Sequence, residues 1–150
     1  MAEPDLEQMR AFLDTHHTLT LATVGSQGEP QAANLYYAML EGMEMCFVSA
    51  NSSRHSANIG RDRRVACTIH AISTRWTDIR GIQLEGTCAR VTALEEARAW
   101  SRYIARFPFV ISDSLLSAAL NGVTIYRITP RWMRWIDNSI GLGHKVEYRI

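Results

Sequence analysis

The sequence predicts a mainly β chain with helices (α+β), folded as a six- to seven-stranded antiparallel split β-barrel. Three observations lead there. Alternating, β-branched runs recur at 18–24, 65–70 and 79–91. Short turns join the early strands, and such turns connect antiparallel neighbours. Long antiparallel strands close on themselves to remove their edges. An OB-type barrel is the competing architecture.

The elements follow in order. Leu6, Met9 and Leu13 fall on one helical face, so residues 4–15 form an amphipathic helix. Residues 18–24 form the first strand, Gly25 to Gly28 a turn, and residues 30–40 the second strand. Glu41-Gly42 returns the chain to a third strand, 43–50, which completes a meander. Ser52 and Ser53 offer cap chemistry for a short helix over 54–60. Residues 65–70 form the fourth strand, 71–78 are polar and irregular, and 79–91 form a long strand. In it Ile82 and Leu84 share one face, Gly81, Gln83 and Glu85 the other, and Gly86 marks a bend. Thr92 and Glu95 have capping-box spacing, opening a helix that runs to Phe107 and stops at Pro108. A second short helix spans 112–120, two strands span 124–128 and 132–137, and a glycine-rich tail spans 138–145.

A chain of 150 residues fits one domain, 1–150. Its 47% apolar and 21% charged content is globular. Sixteen Lys+Arg against fifteen Asp+Glu leave +1, which excludes a protein gripping nucleic acid through a basic field. Fifteen of those sixteen cations are Arg, the residue suited to forked pairing with carboxylate or phosphate. No run approaches the ~18 apolar residues of a membrane span. The acidic stretch from Met1 to Asp14 lacks the basic start and apolar run of a signal peptide. Cys46, Cys67 and Cys88 cannot all pair, and each lies in an apolar run. Buried, reduced thiols in a cytoplasmic protein are therefore expected. No CxxC or His cluster has metal-ligand spacing.

Two stretches carry chemistry. At Val48, Ser49, Ser53, Arg54 and His55 a strand ends and hydroxyls and a cation meet a helix start. Helix N-termini attract anions, and Arg forks onto phosphate. The same residues also read as an ordinary cap with a solvated Arg. In the second stretch, Gln83 and Glu85 lie on one face beyond Gly81, which leaves room for a flat ligand. A solvent-facing strand reads equally well from these residues.

Together the two stretches resemble the pyridoxamine phosphate oxidase-like, FMN-binding split-barrel superfamily, nearly end to end. The family's Phe-Tyr-Thr-Asn, two residues, Ser-Arg-Lys corresponds to Phe47-Val48-Ser49-Ala50, Asn51-Ser52, Ser53-Arg54-His55. Its Arg-Gln-Val-Arg-Ile-Glu-Gly corresponds to Arg80-Gly81-Ile82-Gln83-Leu84-Glu85-Gly86. A narrower likeness, to a small stand-alone bacterial subgroup, rests on Gly81 to Gly86, Arg106-Phe107-Pro108 and Asp137 to Lys145.

The resemblance implies an FMN-binding oxidoreductase acting on a small molecule or electron donor. It implies a homodimer with the flavin at the subunit interface. Ser53, Arg54 and His55 would hold the ribityl phosphate. Val48 and Ser49 would meet the ring edge, Gln83 would contact the ring, and Trp132 or Trp135 would wall it. Two departures stand out. The second strand here, Gln31 to Tyr37, lacks the family's cations, and His55 replaces a Lys. The oxidase's terminal Arg-His-Asp-Arg is missing, so pyridoxamine phosphate oxidase activity itself is not expected. A non-catalytic flavin- or haem-binding module is the alternative, with His16, His17 and His144 as candidate haem ligands. A third reading, single-strand nucleic-acid binding through Trp76, Tyr36 and Tyr37, conflicts with the charge balance.

Overall fold

The computed structural model describes residues 3–150, without the side chains of residues 3, 4, 116 and 117. Met1 and Ala2, the first residues of the acidic start, lie outside the described residues. The chain runs α1 (Glu3–Thr15), β1 (Thr18–Val24), β2 (Pro30–Tyr36), β3 (Ala38–Met39) and β4 (Met45–Ala50). Next come α2 (Arg54–Arg61), β5 (Arg64–His70), a 3-10 turn (Trp76–Asp78) and β6 (Arg80–Arg90). Three helices follow, α3 (Ala93–Arg106), α4 (Phe109–Ser112) and α5 (Ser114–Ala119). The chain ends in β7 (Val123–Asp137) and β8 (Lys145–Arg149).

The strands form a split barrel in which every pairing is antiparallel. Their order is β2-β1-β5-β6-β7-β4-β3, with β8 off that path on β7. β6 lies along most of β7, while β4 takes Val123 to Ile128 and β8 takes Trp132 to Ile136. The single strand expected over 30–40 is broken at Tyr37, which is fully buried and donates its hydroxyl to Leu13 O at 2.6 Å. That break sends β2 and β3 to opposite ends of the strand order, so β3, not β2, pairs with β4. The expected three-stranded meander is corrected accordingly.

The two strands expected at 124–128 and 132–137 are one. Pro130 lies within β7 opposite Gly86, where the register shifts. Proline has no N–H to give, and a bulge tolerates it. A Cβ on Gly86 would lie 2.2 Å from Thr129 O, so only glycine fits there. β8, beyond the glycine-rich segment, was not expected; its five residues do alternate, with Val146 and Tyr148 turned inward between Lys145, Glu147 and Arg149.

The barrel interior is filled by the alternate residues of each strand. Leu21, Cys67, Leu84, Met133 and Tyr148 are successive cross-strand partners, and all are buried. α1 covers this interior with Met9, Phe12 and Leu13. A second cluster joins β3, β4 and β7 to α3 through Cys46, Ala99, Tyr103 and Ile125. The three thiols are free and buried; burial pushes Cys46 and Cys88 up to about 12, and raises Cys67 as well. They are packing residues rather than reactive ones.

Candidate functional site

The junction of β4 and α2 is built by a chain of short polar side chains. Ser53 has extended backbone angles and caps α2, its Oγ accepting from Ser56 N at 3.2 Å. Ser53 Oγ donates to Ser56 Oγ at 2.8 Å, and Ser56 Oγ donates to Ala50 O at 3.0 Å. Ser49 Oγ lies 3.3 Å from Ser53 Oγ and is hydrogen-bonded to His55 Nε2. Asn51 N donates to Gly122 O at 2.9 Å and ties the junction to the segment before β7.

Ser49, Ser53, Arg54 and His55 are thus brought together, but His55 is turned inward. The residue is 9% exposed, and burial lowers its pKa, so it is neutral near pH 7. Arg54 is the outward group, with 60% of its side chain exposed. Its Nη2 lies 3.4 Å from Glu29 Oε1. Glu29 also accepts from Gln27 N at 2.8 Å, and backbone hydrogen bonds hold its carboxyl below the usual range. That carboxylate occupies the space a Cβ on Gly25 would need. Nothing in the local sequence pattern reveals Glu29, because its approach to Arg54 comes from two elements folding together.

The other expected residues lie elsewhere. Val48 packs toward α3, on the opposite face of β4 from Ser49. Gln83 sits on the outer face of the sheet in a row with Thr20, Thr68, Arg134 and Glu147. Its Oε1 accepts from Arg134 Nη1 at 3.3 Å, and Arg134 Nε donates to Glu147 Oε1 at 2.9 Å. Trp132 lies in the next row with Ala22, Ala66, Glu85 and Arg149. The Arg134 guanidinium stacks 5.0 Å above its ring. Trp135 is fully buried in the core, which leaves Trp132 as the tryptophan of this pair that faces outward. A cleft of about 660 Å³ extends from Gly28 and Pro30, either side of Glu29, to Ala66, Gly86, Arg131 and Trp132.

A phosphate-bearing flavin is met by these residues in part. Arg54 supplies one guanidinium beside a capped helix start. His55 supplies no charge, and Glu29 opposes the anion. In the row of Trp132 only Ala22 and Ala66 are small, and Glu85 and Arg149 are its direct cross-strand neighbours.

Two further sequence features are structural. Arg106 Nη1 donates to Asp14 O at 2.8 Å and Arg106 Nη2 to His16 O, closing the end of α1. Asp137 Oδ1 accepts from Ser139 N at 3.0 Å, and Asn138 Nδ2 donates to Trp76 O at 2.9 Å. These bonds knit the β7–β8 loop to the 3-10 turn. The Thr92–Glu95 capping box closes differently from expectation: Thr92 Oγ1 donates to the Glu95 carboxylate at 3.2 Å, and that carboxylate also pairs with Arg127. Among the described residues no His, Cys, Asp and Glu cluster suits a metal ion, and no helix is long and apolar enough to cross a membrane.

Residues 6–137 match the family described as pyridoxamine 5'-phosphate oxidase. A UPF0306 protein of Klebsiella pneumoniae is 30% identical over 139 residues, 92% of this chain and 88% of that one. A conserved hypothetical protein of Mycobacterium tuberculosis superposes with a TM-score of 0.75 at 25% identity, over 96% of this chain and 90% of that one. HutZ, the haem storage protein of Vibrio cholerae, gives 0.69 at 20% identity, over 85% and 89%. A haem-binding protein of Mycobacterium smegmatis gives 0.80 at 20% identity, over 97% of this chain and 57% of that one. The last two likenesses concern the fold alone.

Proposed function

The chain belongs to the pyridoxamine 5'-phosphate oxidase family, and from that premise we propose that it is an FMN-binding oxidoreductase acting on a small molecule. The observation that carries the reading is the β4–α2 junction, where Ser49, Ser53, Arg54 and His55 gather and Arg54 alone faces outward. Arg54 binds the phosphate, with the Ser53-capped turn behind it. His55 positions Ser49 and carries no charge. Val48 and Ser49 present backbone groups to the ring edge, and Gln83 and Trp132 contact the ring. Bound FMN supplies the electron or hydride transfer. The chain works as a one-domain homodimer with the flavin between subunits, in the cytoplasm, with no nucleic-acid or membrane partner. Pyridoxamine phosphate oxidation itself is not part of the proposal. The test is the visible spectrum of the purified protein titrated with FMN, expected to show stoichiometric binding.

The haem-binding fold neighbours support a second reading, a non-catalytic haem module. His16 stacks on Phe12 at 3.7 Å with Nδ1 2.8 Å from Phe12 O, and His144 Nε2 is buried without a partner. His17 is the exposed ring of the three. A Soret band on adding haem, with no flavin binding, selects this reading.

A further inference from the structure

Arg54 already carries an anion. The Glu29 carboxylate reaches it at 3.4 Å from the β1–β2 turn. That carboxylate is not a free surface acid: the Gln27 N–H holds it at 2.8 Å, and it lies folded over Gly25, which is itself buried. The site's formal charges are therefore one guanidinium, one carboxylate and a neutral imidazole.

We propose that Glu29 is a specificity-determining residue of this site, a filter against phosphate: an internal carboxylate that a ligand phosphate must displace from Arg54. The inference rests on the FMN reading and deepens it. Any phosphate, free or esterified, must take Arg54 from the Glu29 carboxylate, whereas a ligand without a phosphate need not. Glu29 so lowers the affinity of this site for phosphate-bearing ligands relative to their unphosphorylated forms. The pair is exposed, so its influence is modest, of the size of a surface ion pair.

The experiment measures FMN and riboflavin affinity by flavin fluorescence in the full chain, for wild type, Glu29→Gln, Arg54→Ala and the double variant. Inorganic phosphate is added as competitor. Glu29→Gln is expected to tighten FMN about three- to fivefold, to leave riboflavin unchanged, and to make inorganic phosphate compete at lower concentration. In the Arg54→Ala background the gain disappears, which isolates the pairwise coupling. FMN affinity that is unchanged or weaker in Glu29→Gln, or a gain that survives Arg54→Ala, overturns the filter while leaving the FMN reading intact. If neither folded wild type nor folded Glu29→Gln binds FMN, the FMN reading itself falls, and the filter with it. Circular dichroism confirms the fold of each variant.

Discussion

The Ser49 hydroxyl and the His55 imidazole are hydrogen-bonded to each other beneath the first turn of α2. This contact makes His55, expected from the sequence to meet a phosphate, a buried support of Ser49.

His55 makes stability depend on pH. Burial lowers its pKa, so as pH falls the unfolded chain takes the proton first. This contribution is complete above the unfolded value of about 6.5. It is lost progressively as pH drops from there toward the depressed folded value. Thermal midpoints across that window should fall for wild type. The decline should flatten for His55→Gln, and parallel slopes in the two proteins would contradict the assignment.

Trp132 and Trp135 should separate cleanly. Trp135→Ala empties a fully buried site and should cost about 3–5 kcal/mol in urea unfolding. Trp132→Ala removes a half-buried outer-face ring, and its stability cost should stay within about 1 kcal/mol. Weaker FMN binding in Trp132→Ala is the expected functional effect. Equal stability losses in the two variants would show that Trp132 is a core residue.

Gly86→Ala should destabilise by about 1–3 kcal/mol. The added methyl meets the Thr129 carbonyl and the Pro130 Cα across the bulge, and both are backbone atoms of a paired strand. Chemical denaturation should show a lower midpoint at unchanged slope. Gly28→Ala is the comparison: its cost is conformational, from a φ of 81°, with no atom within 4 Å.

Much of the fold was legible because periodicity reports burial. Leu19 and Leu21, Cys67 and Ile69, and Ile82 and Leu84 alternate in the sequence and line the interior in the structure. Gly86 was legible as a bend because a strand glycine needs a reason. What failed depended on distant partners. Tyr37 breaks its strand because its side chain is fixed to α1, and Pro130 stays within β7 because Gly86 opposes it. At the site, Ser53 was legible as a cap from local chemistry alone. The inward turn of His55 and the Glu29–Arg54 pair were not, since both arise from contacts across elements. The Arg134 bond to Gln83 belongs to the same class.

An FMN titration of wild type beside Arg54→Ala decides whether the β4–α2 junction binds a flavin phosphate through Arg54. Wild type should bind FMN at one per subunit, with riboflavin weaker. Arg54→Ala should lose about 1–1.4 kcal/mol, roughly five- to tenfold in Kd, for FMN alone; the loss falls below the usual range for a charged hydrogen bond because the side chain is 60% exposed. Identical FMN affinity in the two proteins, or no FMN binding by folded wild type, would contradict it.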